Sequence, residues 1–141
     1  MKFKRLLSLL LVFAMLSAFV VTASASDDDI MLLSYKYTKK CVPSIVFNSS
    51  NKTAHMSVVI QGLSDCPRIT GFVRLYHQGW FGIWHLDKSW DGTEWGDTFT
   101  VDYDFTYTSG VTYKVTVDVD VYSGTVNDCE NVLETKTFKA P

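Results

Sequence analysis

Hydrophobic and polar residues alternate along most of the chain, in short segments separated by Gly, Asn, Ser and Asp turns. In the clearest segment, residues 111–122, five valines and Tyr113 occupy one face, while Thr, Lys and Asp occupy the other. Residues 98–108 follow the same rule, with aromatic residues on one face. This alternation is typical of strands with one buried face, so the pattern predicts an all-β protein.

About seven strands are predicted in total. Ser109 and Gly110 predict a hairpin turn between the two strongest strands. The number and spacing of the strands favour an antiparallel two-sheet sandwich of the immunoglobulin-like type, with a small closed barrel as the alternative. The five remaining strands are expected at residues 44–47, 54–61, 68–77, 84–90 and 132–138.

The N-terminus differs from the rest of the chain. Three basic residues within the first five precede an apolar run at residues 6–21, and small residues follow at 23–25. These features predict a signal-peptide helix, cleaved after Ala25, and a secreted, extracellular product without a membrane anchor; an uncleaved anchor helix is the alternative. The expected organisation is a signal peptide at 1–25, a flexible acidic segment at 26–40 and a β-sandwich domain at 41–141.

Charge narrows the range of functions. All 15 acidic residues follow residue 25, but only 10 of the 13 Lys and Arg residues do, which leaves the expected mature chain with a net charge of −5. An acidic domain of this size lacks the electrostatic basis for binding nucleic acid. About 116 residues also make a single domain, too small for a nucleotide-binding unit or a barrel enzyme.

The mature chain contains three cysteines, Cys41, Cys66 and Cys129. Export to an oxidising compartment favours one disulfide and one free thiol, and the spacing matches no zinc pattern. In an immunoglobulin-like order all three lie near one end of the sandwich, so any pair is possible. We favour Cys41 with Cys66, because their strands are expected to be antiparallel neighbours, and this leaves Cys129 free.

Two segments, LYHQGWFGIWHLDKSW at 75–90 and SGVTYKVTVDVDVYSG at 109–124, resemble a family of short exported proteins of Gram-positive bacteria without an assigned function. The resemblance spans about residues 41–138 and rests on β-sandwich packing signals. It implies a fold and a compartment, and no activity. The chain departs from the family pattern at Trp80 and Phe81, where a polar turn is usual, and in residues 91–97.

All four tryptophans lie within 16 positions. Trp84 and Trp90 are expected on one strand face, packed in the core. Trp80 and Trp95 lie in Gly-bounded turns, where burial is harder to arrange. With Tyr76 they are the candidate ligand-binding residues, because exposed aromatic rings stack on sugars.

Signals for catalysis and metal binding are weak. His55, His77 and His85 fall on separate segments outside any catalytic motif. Residues 87–92 resemble the start of a calcium loop, but Thr98 stands where the bidentate acid is needed. Aspartate pairs at 102 and 104 and at 118 and 120 are expected to form an acidic patch on neighbouring strands. No catalytic residue, metal or cofactor is predicted.

The sequence therefore predicts a secreted, non-catalytic β-sandwich that serves as an interaction or binding module. Its expected partner is a protein or a component of the cell envelope. A carbohydrate-binding module that uses the exposed tryptophans is the alternative. The pattern predicts no oligomeric state.

Overall fold

The computed structural model describes residues 35–124 and 128–141, so the predicted signal peptide and residues 26–34 of the predicted acidic segment lie outside it. The described chain contains seven strands and one short 3-10 turn at Trp80–Gly82. The strands are β1 Thr38–Asn48, β2 Thr53–Gly62, β3 Arg68–Gln78, β4 Trp84–Trp95, β5 Thr98–Thr106, β6 Thr112–Tyr122 and β7 Cys129–Lys139.

The strands form two antiparallel sheets that pack as a β-sandwich. One sheet has three strands in the order β1-β2-β5, and the other has four in the order β4-β3-β6-β7. The predicted all-β, two-sheet architecture with seven strands is confirmed. Alternate residues of most strands point inward, and the inward sets of both sheets form the core. Its fully buried members include Met56, Ile60, Ile69, Leu75, Val115, Val117 and Val119.

The faces of β5 and β6 match the alternation, but their predicted hairpin is wrong. β5 pairs with β2, and β6 pairs with β3 and β7, so the turn at Ser109 and Gly110 crosses from one sheet to the other. The expected acidic patch is wrong for the same reason. Asp102 and Asp104 lie on the three-stranded sheet, whereas Asp118 and Asp120 lie on the four-stranded sheet.

β4 contains the main local irregularity. Leu75 pairs with Lys88 and the next residue, Tyr76, pairs with Leu86, so Asp87 is an extra residue in β4. A bulge of this kind reverses the faces on its two sides. Trp90 therefore points inward against the core, while Trp84 points outward. The prediction that Trp84 and Trp90 share a buried face is wrong for Trp84.

β1 is longer than its predicted core at residues 44–47. It begins at Thr38, inside the segment expected to be flexible, because Glu130 of β7 accepts hydrogen bonds from the backbone N–H groups of residues 36–38. No helix in the described ranges is long and apolar enough to cross a membrane.

Candidate functional site

The hairpin between β3 and β4 ends in a tip, residues 79–83, that consists mostly of bare hydrophobic side chains. Trp80 is 86% exposed, Phe81 97% and Ile83 58%. Large exposed apolar side chains that stand next to one another are uncommon on soluble proteins and mark surfaces that bind other molecules. We therefore take the tip as the centre of the candidate functional site.

The tip has a defined conformation. The N–H of Gly79 donates to the carbonyl of Ile83 at 2.8 Å, and the side-chain amide of Gln78 donates to the carbonyl of Gly82 at 3.4 Å. Phe81 has φ of 58° and ψ of 20°, the left-handed region that costs a residue with a Cβ atom about 1–2 kcal/mol. A strained conformation at an exposed aromatic residue is typical of a functional position.

Two stacked histidines support the base of the tip. The rings of His77 and His85 lie with their centroids 5.2 Å apart and their planes within 19°. A Cβ atom on residue 79 would lie 2.6 Å from the Nε2 atom of His85, so glycine is required there for this close approach. Nδ1 of His77 lies 2.5 Å from a carboxylate oxygen of Asp87, the extra residue of the bulge. The bulge thus supplies a partner that fixes the base of the tip.

Aromatic residues continue from the tip along the outer face of the four-stranded sheet. The ammonium of Lys114 lies 4.7 Å from the ring centre of Tyr76 and 4.2 Å from that of Trp84. Leu86 pairs with Tyr76 on the same face and is exposed. The reversal at Asp87 brings Trp84 and Leu86 to this face. We call Tyr76, Trp84, Leu86 and Lys114 the strip. It combines apolar side chains with one cation.

A cleft opens between the two sheets beside the tip. Its volume is about 250 Å³. Aromatic rings of Tyr103, Phe105 and Tyr113 line it together with the His77–Asp87 pair. The cleft therefore lies at the base of the tip rather than at the tip itself.

The predicted ligand-binding residues do not form one platform. Trp80 and Tyr76 lie at the tip end of the hairpin. Trp95 is 76% exposed at the far end of β4, beside the guanidinium of Arg68 at 5.9 Å. A twelve-residue strand spans about 35 Å, which separates Trp95 from the tip. Both tryptophans are exposed, but no single small ligand reaches both.

The predicted disulfide between Cys41 and Cys66 is not present, and all three cysteines are free thiols. Cys41 lies opposite Ile60 in the first sheet, and the pKa of its thiol is raised to about 12 by burial and by the charge of Glu134. Cys66 packs near Gly62, and its thiol donates to the carbonyl of Arg68 at 3.2 Å. The two sulfurs thus have different surroundings. Cys129 is exposed.

Charge is distributed unevenly along the strands. We define the hairpin half as residues 45–56, 75–88, 103–115 and 136–141, which lie toward the tip, and the cysteine half as the other described residues. The hairpin half has five lysines, two aspartates and all three histidines. The cysteine half has five basic residues, ten acidic residues and all three cysteines. The tip therefore belongs to the basic half of an acidic protein.

Both aspartates of the hairpin half are paired with histidines. Asp87 contacts His77, and Asp104 contacts Nδ1 of His55 at 2.8 Å on the outer face of the other sheet. The hydrogen bond that His55 donates to Asp104 raises the pKa of His55, with a further contribution from Asp102. These contacts reduce the negative charge that the hairpin half presents.

No protein-family model matches the chain, and no curated protein matches it. The functional argument therefore rests on the geometry of the tip, the strip and the surrounding charges.

Proposed function

We propose that this chain is a secreted, non-catalytic binding module that attaches to a protein or another component of the cell envelope through its hairpin tip. The exposure of Trp80, Phe81 and Ile83 on a hydrogen-bonded hairpin is the observation that carries the proposal. A preorganised aromatic surface binds with little loss of conformational entropy, so a short tip is sufficient for recognition.

The strand order supports an immunoglobulin-like assignment within the proposal. The first, second and fifth strands face the third, sixth and seventh, as in immunoglobulin domains, and the fourth strand joins the second sheet. Loops at the ends of such sandwiches commonly carry binding residues. We also propose kinship with the exported Gram-positive proteins that the sequence resembles.

The histidines support a non-catalytic role. The hydrogen bonds that orient His55 and His77 go to carboxylates, and both imidazoles lie on the surface. A histidine held in this way needs a nucleophile or an oriented water within reach before it acts as a base. Pairs of histidine and aspartate also form on solvent-exposed strand surfaces, so these contacts do not require a catalytic role.

Retention on an envelope preparation tests the binding function. The secreted chain is incubated with washed Gram-positive envelopes, sedimented and quantified. We expect the protein to sediment with the envelopes, and the double variant W80A/F81A to remain in the supernatant. W95A is the matched control for the tip, because it removes another exposed tryptophan, from the other end of β4. Equal sedimentation of all three proteins would contradict the role of the tip.

A carbohydrate ligand is the second candidate function. Trp95 favours it, because an exposed ring next to the Arg68 guanidinium offers a stacking surface together with hydrogen-bond donors. Such a site would use Trp95 alone, while Trp80 and Tyr76 would belong to a separate surface.

A glycan array read by tryptophan fluorescence distinguishes the two candidates. A sugar site at Trp95 requires an emission change that W95A abolishes and W80A preserves. A glycan response that depends on Trp80 would instead place the sugar at the tip. If no glycan changes the emission, the carbohydrate function is wrong.

A further inference from the structure

The hairpin tip differs from a sugar-binding platform in the arrangement of its rings. The ring planes of Trp80 and Phe81 are inclined by 59°, and their centroids lie 6.5 Å apart. Sugar rings stack on flat aromatic surfaces, whereas inclined, projecting side chains suit insertion into a soft medium. Ile83 adds an aliphatic side chain, which offers a sugar no stacking surface.

Aromatic rings and a lysine occur together just behind the tip. Lys114 lies over the rings of Tyr76 and Trp84, with its ammonium at the outer surface of the strip. Tryptophan and tyrosine favour the headgroup level of a bilayer, and lysine stems extend along apolar surface toward phosphate. Behind the exposed tip, aromatic rings and a cation thus lie side by side, as they do at a bilayer interface.

The charges around the tip have the sign that an anionic surface requires. Lys52, Lys114 and Lys139 lie at the same end of the sandwich as the tip, and Lys88 and Lys136 lie one row behind Lys114. Lys52 is held by a hydrogen bond to Ser109 in the adjacent turn. The ten acidic residues of the cysteine half lie away from the tip. The molecule is therefore polarised, and a negative surface orients it with the tip forward.

We propose that the hairpin half docks peripherally on an anionic lipid surface. Trp80, Phe81 and Ile83 enter the boundary between headgroups and acyl chains, and the surrounding lysines face the lipid phosphates. This inference rests on the proposed binding function and names its partner as the lipid of the envelope. Apolar insertion and lysine attraction act together, since one short apolar element alone binds membranes weakly.

Vesicle binding tests the inference. The secreted chain is titrated with vesicles of equal parts phosphatidylglycerol and phosphatidylcholine, and with vesicles of phosphatidylcholine alone. We expect a blue shift of tryptophan emission and co-sedimentation with the anionic vesicles, weakened about tenfold or more by 0.5 M NaCl. All variants carry the same N-terminus, verified by mass spectrometry, so that any contribution from outside the sandwich cancels.

Three variants locate the contact. W80A/F81A is expected to weaken binding to anionic vesicles by at least about tenfold, because it removes two inserted rings. K52E/K139E is expected to weaken binding by a similar factor without altering the tip. W95A is expected to bind as the unmodified chain does. Circular dichroism of each variant confirms that it is folded.

Several results would overturn the inference. Equal binding to neutral and anionic vesicles would exclude the role of charge, and unchanged binding by W80A/F81A would exclude insertion of the tip. Failure to bind vesicles, combined with tip-dependent retention on whole envelopes, would refute the lipid and leave the binding module with a protein or glycan partner. Failure in both assays would refute both proposals.

Discussion

In the cysteine half of the sandwich the polar groups at the strand ends are bonded to one another, whereas in the hairpin half the β3–β4 connection ends in bare aromatic side chains. Glu130 accepts hydrogen bonds from the N–H groups of residues 36–38 and from the hydroxyl of Thr38, which ties β7 to the first sheet. Three backbone hydrogen bonds of the tip join its own residues, 79–83, to one another. One end of the sandwich is therefore tied together by hydrogen bonds, and the other exposes apolar side chains.

One strand, β4, contributes both to the exposed surface near the tip and to the packing of the core. β4 runs from the tip to Trp95, and the bulge at Asp87 separates its outward apolar part from the part that buries Trp90. Because the core is closed by β3, β6 and the other sheet, substitutions at the tip leave the buried surface unchanged. Stability and binding are therefore expected to respond to different residues.

The largest expected effect is a difference in alkylation rate between the thiols of the cysteine half. In the reduced, folded chain we expect a thiol-alkylating reagent at pH 8 to label the exposed Cys129 first and Cys41 at least about tenfold more slowly. The reason is that burial raises the pKa of Cys41 to about 12, so that little of this thiol is ionised at pH 8, and the greater nucleophilicity of the more basic thiolate offsets only part of that loss. Burial also raises the pKa of Cys66. Mass spectrometry of the labelled peptides measures the three rates.

The same reagent tests the cysteine pairing expected from the sequence. A chain refolded in air, denatured without reductant and then labelled would carry three labels if its thiols remain free, as they are in the structure. One label, at Cys129, would show that Cys41 and Cys66 pair under oxidising conditions. Rapid labelling of Cys41 in the folded, reduced chain would contradict its burial.

The next largest expected effect is the loss of stability when the Glu130 carboxylate is removed. We expect E130A to lower the free energy of unfolding by about 2–4 kcal/mol, because three backbone N–H groups and one hydroxyl lose a charged acceptor. E134A is the graded control, since Glu134 accepts one hydrogen bond from the hydroxyl of Tyr35, at 2.8 Å. Urea unfolding measures both variants. A loss for E130A no larger than that for E134A would show that the contact does not hold β1 in place.

The tip is expected to behave in the opposite way. We expect F81G to raise the free energy of unfolding by about 1 kcal/mol, because glycine adopts a φ of 58° without the Cβ penalty and the lost side chain is exposed. The same variant is expected to bind envelopes more weakly. Thermal unfolding and co-sedimentation measure the two properties. A destabilised F81G would mean that the ring supports the fold.

The sequence predicts the burial pattern well and the sheet pairing less well. Alternation assigns the inward faces of β5 and β6 correctly, since each face meets either the core or water. Alternation does not say which strands pair, so Ser109 and Gly110 look like a hairpin although they connect two sheets. The fold class is therefore accessible from local pattern, and the topology is not.

The candidate site could be predicted only in part, because the local pattern indicates the exposed turn and does not reveal the bulge in β4. Gly79 and Gly82 around two aromatic residues indicate an exposed turn, and Trp80 is exposed as that pattern suggests. The outward position of Trp84 depends on one extra residue, Asp87. Strict two-residue alternation of inward and outward side chains does not reveal such an insertion. The contact of Lys114 with Trp84 was missed with it. A carboxylate between Leu86 and Lys88 offers only a weak sequence signal for a bulge.

The smallest expected effect concerns His55, on the outer face of the three-stranded sheet of the hairpin half. Asp102 and Asp104 of β5 face it, and its partner on β1 is the apolar Val46. The hydrogen bond that His55 donates to Asp104 raises the pKa of His55 above its ordinary value near 6.5. The folded chain therefore holds this proton more tightly than the unfolded chain. The resulting stabilisation is fully present below about pH 6.5 and is lost as the pH rises through the folded pKa.

Proton NMR of the imidazole measures this pKa directly. We expect D104N to lower it and H77Q, at a separate site, to leave it unchanged. We also expect the pH dependence of unfolding to be slight, because the pair is exposed to solvent and its charges are screened. A His55 pKa that is the same in D104N as in the unmodified chain would exclude the contact. Protonation of the His55 imidazole adds positive charge to the hairpin half, so the charge that this half presents becomes more positive as the pH falls through the His55 pKa.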